Sequence, residues 1–198
     1  MMRLTVRQNQ IIDAALQLTS AGGIQNLTIK NVSSRLGITE PAIYRHFASK
    51  SEIVKALIES FDGGVEVDAS LTGFAGIAGF ARSRFAQIAA NPSLAKVMFA
   101  EELFMDDPEY SELLLKMMHR HKQSLQKNFQ EAQAAGEIRS DLDVEMLFRV
   151  VFGAVRLLVK QWGMSGQAFD LQAKGEELLG ALHKILHCQV DDEGCCIL

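Results

Sequence analysis

No stretch of the 198-residue chain stays apolar for the ~20 residues that a membrane-spanning helix needs. The run from Phe74 to Ala81 is among the longest even with glycine counted, and Arg149 and Arg156 interrupt the stretch from Met146 to Val159. The opening residues, Met1-Met2-Arg3-Leu4-Thr5-Val6-Arg7-Gln8, contain no apolar h-region, so no secretory signal is expected. Cysteine is scarce and clustered: Cys188, Cys195 and Cys196 all fall in the last eleven positions. That excludes a disulfide framework and makes a reducing cytoplasm the expected compartment. Strand-like alternation, internal repeats, low-complexity segments, a phosphate-cradling glycine loop and a Gly-x-Ser-x-Gly elbow are all missing.

What is present is ordinary globular material. Hydrophobic residues make up 48% of the chain and charged residues 22%. The length supports a hydrophobic core without metal or disulfide staples. The net charge of -4 hides an asymmetry. Residues 1–60 hold seven basic side chains (Arg3, Arg7, Lys30, Arg35, Arg45, Lys50, Lys55) against four acidic ones (Asp13, Glu40, Glu52, Glu59), a surplus of +3. The remainder carries -7, so the front of the chain is the candidate for contacting a polyanion. Ten of the eleven Phe and the single Trp lie beyond residue 60, as do Met98, Met105, Met117, Met118, Met146 and Met164. These suit either a larger core or a deformable apolar pocket.

Helical periodicity runs throughout. Ile11, Ile12, Ala15 and Leu18 make one apolar stripe. Thr5 with Gln8 forms a capping box at its start, and Gly22-Gly23 ends it. Thr28 caps a short helix from Ile29 to Leu36, with Ile29, Val32 and Leu36 inward, and Gly37 permits a tight turn. Thr39 caps a third helix, with Pro41 in its first turn, that carries Ala42 to Phe47. Ser49-Lys50-Ser51-Glu52 is a second capping box, opening a helix with Ile53, Leu57 and Phe61 on one face and Gly63-Gly64 at its end. Further helices are expected over Phe74–Ala89, from Pro92 to about Met105, and from Pro108 to about Ala135, which Gly136 ends. Two more follow: one capped by Asp141 or Asp143 with Val144, Phe148, Val151, Val155, Leu158 and Trp162 striped along it, and Leu171–His187. The tail 189–198 is expected to be disordered.

The second and third helices form a helix-turn-helix pattern. In that motif the second helix enters the major groove and the first braces it. Here Thr39, Glu40, Ala42, Arg45 and His46 make a polar side for bases and phosphates, while Ile43 and Phe47 anchor inward. Lys50 adds a donor at a helix N-terminus.

Residues 7–53 resemble the N-terminal domain of TetR-family transcriptional regulators. The match rests on Arg7, Ile11, Ala14, Ala15, Leu18, Gly22 or Gly23, Leu27-Thr28, Val32, Leu36-Gly37-Ile38-Thr39, Ile43-Tyr44-Arg45-His46-Phe47, Ser49-Lys50 and Ile53. Ser33 departs from the pattern, which usually has Ala there. The resemblance implies an all-α protein: a three-helix DNA-binding domain over 1–48, a linking helix over 49–64, and a ligand-binding and dimerisation bundle over 65–188. It implies a homodimer that binds a palindromic operator on double-stranded DNA as a repressor and is released by a small, largely apolar effector. No cofactor, metal or membrane partner is implied. Carried onto this chain, Thr28 and Lys30 would meet phosphate, Thr39, Glu40, Pro41, Ala42 and Arg45 would face bases or nearby phosphates, and Tyr44, His46 and Lys50 would clamp the backbone.

The candidate pocket residues are Phe85, Met98, Phe99, Glu102, Phe104, Met117, His121, Phe129, Phe148 and Phe152. Candidate interface residues are Val151, Val155, Leu158, Trp162, Leu178, Leu182 and Ile185, on two helices that suit a four-helix contact between two copies. Arg149 and Arg156 could meet a ligand carboxylate or form surface ion pairs. The linking helix is the natural lever between pocket and head. Competing readings are an architectural DNA-binding protein with no inducer, and a small helical ligand-binding protein or enzyme. His183 and His187 followed by Cys188 have metal-like spacing, but Lys184 stands where a zinc protease has Glu. Ser93-x-x-Lys96 lacks its catalytic companions. Cys195-Cys196-Ile197-Leu198 fits a prenylation box in letters only.

Overall fold

The computed structural model describes residues 4–61, 68, 70–98 and 100–187, with the backbone of 189–190 and 196–197. Phe99, the Gly63-Gly64 stop and most of the tail, Cys188 and Cys195 included, lie outside the described residues. The described chain is helical: α1 (Val6–Asn26), α2 (Ile29–Leu36), α3 (Glu40–Tyr44), α4 (Lys50–Ser60), α5 (Gly73–Ala90), α6 (Ser93–Val97), α7 (Pro108–Ala134), α8 (Val144–Met164) and α9 (Leu171–Leu186). A 3-10 turn covers Glu101–Leu103. In the tail, Gln189 and Val190 pair antiparallel with Ile197 and Cys196. No helix among the described residues is long and apolar enough to cross a membrane.

Local chemistry sets most helix ends. Thr5 and Gln8 form the capping box of α1. Gly22 and Gly23 leave helical geometry, Gly23 at φ +72°, so α1 kinks there and resumes for one more turn to Asn26. Asn26 Nδ2 donates to the Leu18 carbonyl at 2.9 Å, satisfying an acceptor near the kink. Thr28 caps α2 through the Asn31 N–H, and Gly37 at φ +64° closes it. Ser49 accepts from the Glu52 N–H, and the Glu52 carboxylate accepts from the Ala48 N–H at 2.6 Å.

The chain forms two compact units that are not contiguous in sequence. One holds 1–63 and 91–117; the other holds 64–90 and 118–198. Residues 91–117, expected with the regulatory part, therefore cluster with the head. In the first unit α1 packs on α2, α4 and α6. Its core includes Ile11, Ala15, Leu27, Val32, Ile43, Ile53, Leu57 and Phe61, all fully buried. Ile29 and Leu36 are only half-buried, and Ser33 takes an inward place beside Val32. Its hydroxyl donates to the Lys30 carbonyl at 2.9 Å, so the polar group enters the core satisfied.

One helix expected from Pro92 to about Met105 is in fact broken. α6 stops at Val97 and the chain turns before the 3-10 segment. That turn brings Phe104 edge-on to Phe61, with centroids 6.3 Å apart.

In the second unit α5, α8 and α9 pack on one another. Ile77, Phe80, Leu125, Phe129, Ala132, Ile138, Leu147, Phe148, Val151, Leu182 and Leu186 form its core. α9 approaches α5 closely at Gly175, where an added Cβ would lie 2.5 Å from the Phe85 ring. Asp143, rather than Asp141, caps α8 through the Met146 N–H. Asp141 instead pairs with Arg139.

Candidate nucleic-acid interface and ligand cavity

α3 is shorter than its sequence suggests. It ends at Tyr44, and Arg45 and His46 lie in the turn that follows. Both the His46 and Phe47 N–H groups fold back to the Ile43 carbonyl. Ile43 and Phe47 are buried and hold the segment against the first unit. What remains outward is polar: Thr39, Glu40, Pro41, Tyr44 and Arg45 are exposed, and Ala42 and His46 are half-buried. Tyr44, at 51% exposure, does not take the core position open to an aromatic. Thr39 begins α3 in extended geometry but makes no side-chain cap, which leaves its hydroxyl available.

The flanking candidates divide. Lys30 is exposed on α2. Thr28 already uses its Oγ1 to accept from the Asn31 N–H at 3.1 Å. The His46 carbonyl accepts from Gln8 Nε2 at 3.3 Å, which ties the end of the recognition segment to α1. Lys50 donates from Nζ to the Ile24 carbonyl at 3.2 Å. Its charge is thus partly committed inside the head, a role that sequence reasoning missed. In the first turn of α4, where Lys50 sits, the Glu52 N–H is already taken by Ser49, while the Glu52 carboxylate accepts from the Ala48 N–H just before the helix.

The pocket candidates do not gather in one cavity. Phe129, Phe148 and Phe152 line a small apolar cavity in the second unit with Ile77, Phe80, Ala81, Leu125, Val151 and Val155. Its volume is only about 10 Å³, and its lining is apolar. His121 lies beside it, 5.4 Å from the Phe80 ring and 6.1 Å from Phe152, centroid to centroid. Phe85 packs against Gly175 and borders an open groove with Arg82, Gln172 and Glu176. Met98, Phe104 and Met117 are buried among residues of the first unit, and Glu102 is exposed.

Arg84 was not among the candidates. It is 2% exposed, and it follows Ile77, Phe80 and Ala81 on the buried stripe of α5. Its guanidinium carbon lies 5.7 Å from the Phe80 ring centroid. It donates to Gln87 Oε1 at 2.7 Å and lies 3.3 Å from His121 Nε2. A lone cation on an otherwise apolar stripe was the signal that could have flagged it.

Val151, Val155, Trp162 and Leu182 are buried within one chain, Leu158 and Leu178 are half-buried, and Ile185 is 68% exposed. Arg149 pairs with Glu145 one turn away at 2.5 Å. His183 stacks on Phe74 at 4.4 Å, and His187 Nδ1 lies 3.2 Å from the Glu137 carbonyl. Among the described residues no group of three His, Cys, Asp or Glu side chains could hold a metal ion. Within the first unit, Lys55 of α4 bridges to Glu109 in the first turn of α7 at 2.5 Å.

A short outward-facing α3 braced by α2, followed by a helical unit with an apolar cavity, defines a helix-turn-helix regulator. Residues 11–57 match the bacterial regulatory proteins of the tetR family, and residues 53–185 match the YsiA-like protein C-terminal region. The chain belongs to the TetR family of transcriptional regulators, which are not enzymes. It is 24% identical over 184 residues to the fatty acid metabolism regulator protein of Bacillus subtilis, covering 90% of this chain and 94% of that one. It is 23% identical over 196 residues to the probable acrEF/envCD operon repressor of Escherichia coli K12, covering 89% and 84%. The crystal structure of the Bacillus subtilis transcriptional regulator FadR in complex with stearoyl-CoA superposes with a TM-score of 0.79 at 25% identity, over 90% of this chain and 99% of that one.

Proposed function

We propose that this regulator binds a two-fold symmetric operator as a homodimer, acts as a repressor in the cytoplasm, and is released by a long-chain acyl effector. The observation that carries the effector class is the cavity among α5, α7 and α8, whose lining is hydrocarbon alone. Such a cavity rewards apolar area and offers a polar ligand nothing. The relative solved with stearoyl-CoA supports the same class. Thr39, Glu40, Pro41, Ala42 and Arg45 would read or flank bases. Thr28, Lys30, Tyr44, His46 and Lys50 would meet phosphates.

The dimer would form on the outer side of α8 and α9. Met146, Val150 and Leu157 recur there at helical spacing and are exposed, as is Ile185 on α9. Leu158 and Leu178 would border that contact, while Val151, Val155, Trp162 and Leu182 serve the chain's own core. Effector binding would act through α7, which supplies Leu125 and Phe129 to the cavity and Glu109 to α4. A ligand that favours one spacing of the two heads shifts the population away from the ~34 Å separation that successive major grooves require.

The test is fluorescence anisotropy on a duplex selected from random DNA. A two-fold symmetric consensus, with affinity lost on adding stearoyl-CoA but kept with coenzyme A alone, is the expected result. Symmetric binding that ignores every acyl chain would instead favour an architectural role without inducer.

A further inference from the structure

α3 has five residues and cannot hold its own direction. A helix of that length is not stable alone, and Thr39 gives it no side-chain cap. Its depth is set by Ile43 and Phe47, both buried. Its end is set by the turn in which the His46 and Phe47 N–H groups return to the Ile43 carbonyl. Two contacts from other helices then hold that turn. The Glu52 carboxylate of α4 accepts from the Ala48 N–H at 2.6 Å, and the Gln8 carboxamide of α1 donates to the His46 carbonyl at 3.3 Å. Gln8 thus reaches across 38 residues of sequence to the turn that carries Arg45 and His46.

The Gln8 carboxamide has one orientation. Its Oε1 accepts from the Thr5 N–H at 3.0 Å and from the Thr5 hydroxyl at 3.1 Å. Its own main-chain N–H donates to Thr5 Oγ1 at 3.2 Å. Exchanging the amide oxygen and nitrogen would set a donor against the Thr5 N–H and an acceptor against the His46 carbonyl, so Nε2 belongs at His46. One side chain therefore has two functions. Its acceptor closes the N-terminus of α1, and its donor ties down the turn after α3. Because α1 packs on α2, α4 and α6, that turn is held to the body of the first unit and not to α3 alone. A side chain that reads a base edge must be kept within about 0.5 Å of its place by groups that need not touch the base. A phosphate contact carries no sequence information and sets no such demand on discrimination.

We propose that Gln8 is a positioning residue for operator recognition: its donor to the His46 carbonyl fixes the turn bearing Arg45 and so sharpens the choice of the operator over other sequences. This rests on the reading that Thr39 to Arg45 face DNA and deepens it by naming a residue of α1 that governs specificity. The competing role, capping of α1 alone, uses only the acceptor. Two substitutions separate the two functions. Gln8→Glu keeps an acceptor for Thr5, as in the common form of the capping box, and has no donor for His46. Gln8→Lys keeps a donor and loses the acceptor.

The test uses the full chain and fluorescence anisotropy on two duplexes of equal length, a sequence selected from random DNA and a scrambled version of it, at one salt concentration. Each substitution changes the charge of the head by one, which alters affinity for both duplexes alike. A loss of folded protein also lowers both alike. The readout is therefore the ratio of the two affinities, which a purely structural role would not move. Gln8→Glu is expected to lower that ratio about three- to tenfold, the range that one neutral hydrogen bond sets, with its melting temperature held. Gln8→Lys is expected to keep the ratio close to wild type while melting earlier. An unchanged ratio in Gln8→Glu, or an equal loss in both variants, overturns the proposal and leaves the DNA-facing role of α3 standing. A wild type that prefers neither duplex overturns both.

Discussion

Lys50 Nζ donates to the main-chain carbonyl of Ile24 across 3.2 Å, joining the first turn of α4 to the last turn of α1. Ile24 directly follows the Gly22-Gly23 kink. The Ile24 carbonyl already accepts from the Leu27 N–H at 3.2 Å, so Lys50 is a second donor to it, reaching in from another helix. Lys50 therefore fastens the head together, in addition to any contact with phosphate.

Replacing Lys50 with Met should lower thermal stability in the absence of DNA. The expected loss is about 1 kcal/mol, or roughly 2–4 °C for a chain of this size. A melt indistinguishable from wild type would show that Lys50 serves DNA alone.

Tyr44→Phe removes one hydroxyl from an exposed ring. Stability should stay within about 0.5 kcal/mol, while affinity falls several-fold on every duplex tested, because a phosphate contact carries no sequence information. Ile43→Ala, one position earlier and fully buried, should instead cost about 2–5 kcal/mol of stability. Gel-shift titrations beside urea melts separate the two. Loss on one operator only would make Tyr44 a base reader.

Leu157→Arg places a charge on the outer face of α8, where the native side chain is 58% exposed. A single chain tolerates it, since the face is already open. A dimer built on that face does not, because the charge would be desolvated without a partner. Analytical ultracentrifugation should show a folded monomer. A dimer of unchanged strength would move the interface elsewhere.

Two glycines on α9 should respond with opposite sign. At Gly175 a Cβ would lie 2.5 Å from the Phe85 ring, whereas at Gly180 it meets nothing within 4 Å. Gly175→Ala should destabilise by about 1–3 kcal/mol through overpacking. Gly180→Ala should stabilise by up to about 1 kcal/mol through helix propensity. Denaturant midpoints of both variants, compared with wild type, provide the measurement.

The Arg82 guanidinium forks onto Glu176, with contacts of 2.6 and 2.8 Å, and joins α5 to α9. The hydrogen bond from Arg82 holds the Glu176 carboxyl below its ordinary value of 4.5. Between the folded and ordinary values the unfolded chain binds more protons, so the contribution is fully present above about pH 5 and fades as pH falls through the folded value. Both side chains are half exposed, so the effect is small and screened by salt. The melting difference between wild type and Arg82→Gln should be constant from pH 6 to 8 and shrink toward pH 3. A difference that grows on acidification contradicts the assignment.

The residues that spoke plainly in the sequence are those whose physics is local. Thr5, Thr28 and Ser49 cap with partners three residues away, and Gly37 needs only its own freedom at positive φ. With Ile43 and Phe47 inward and Tyr44-Arg45 outward, they determined the helix-turn-helix and its exposed side. What tertiary structure alone decided depends on groups far apart in the chain. α3 ends at Tyr44 because Gln8, Phe47 and Glu52 claim the residues that would continue it. α8 buries Leu147 and Val159 where Val144 and Leu158 were expected. A helix apolar on most sides does not itself say which side meets its own core and which is left for a second copy. Arg84 meets His121 because α5 and α7 run antiparallel, with Gly73 beside Glu131 at the other end of the pair. Residues 37 positions apart then meet, a closeness that no periodicity along a single helix encodes.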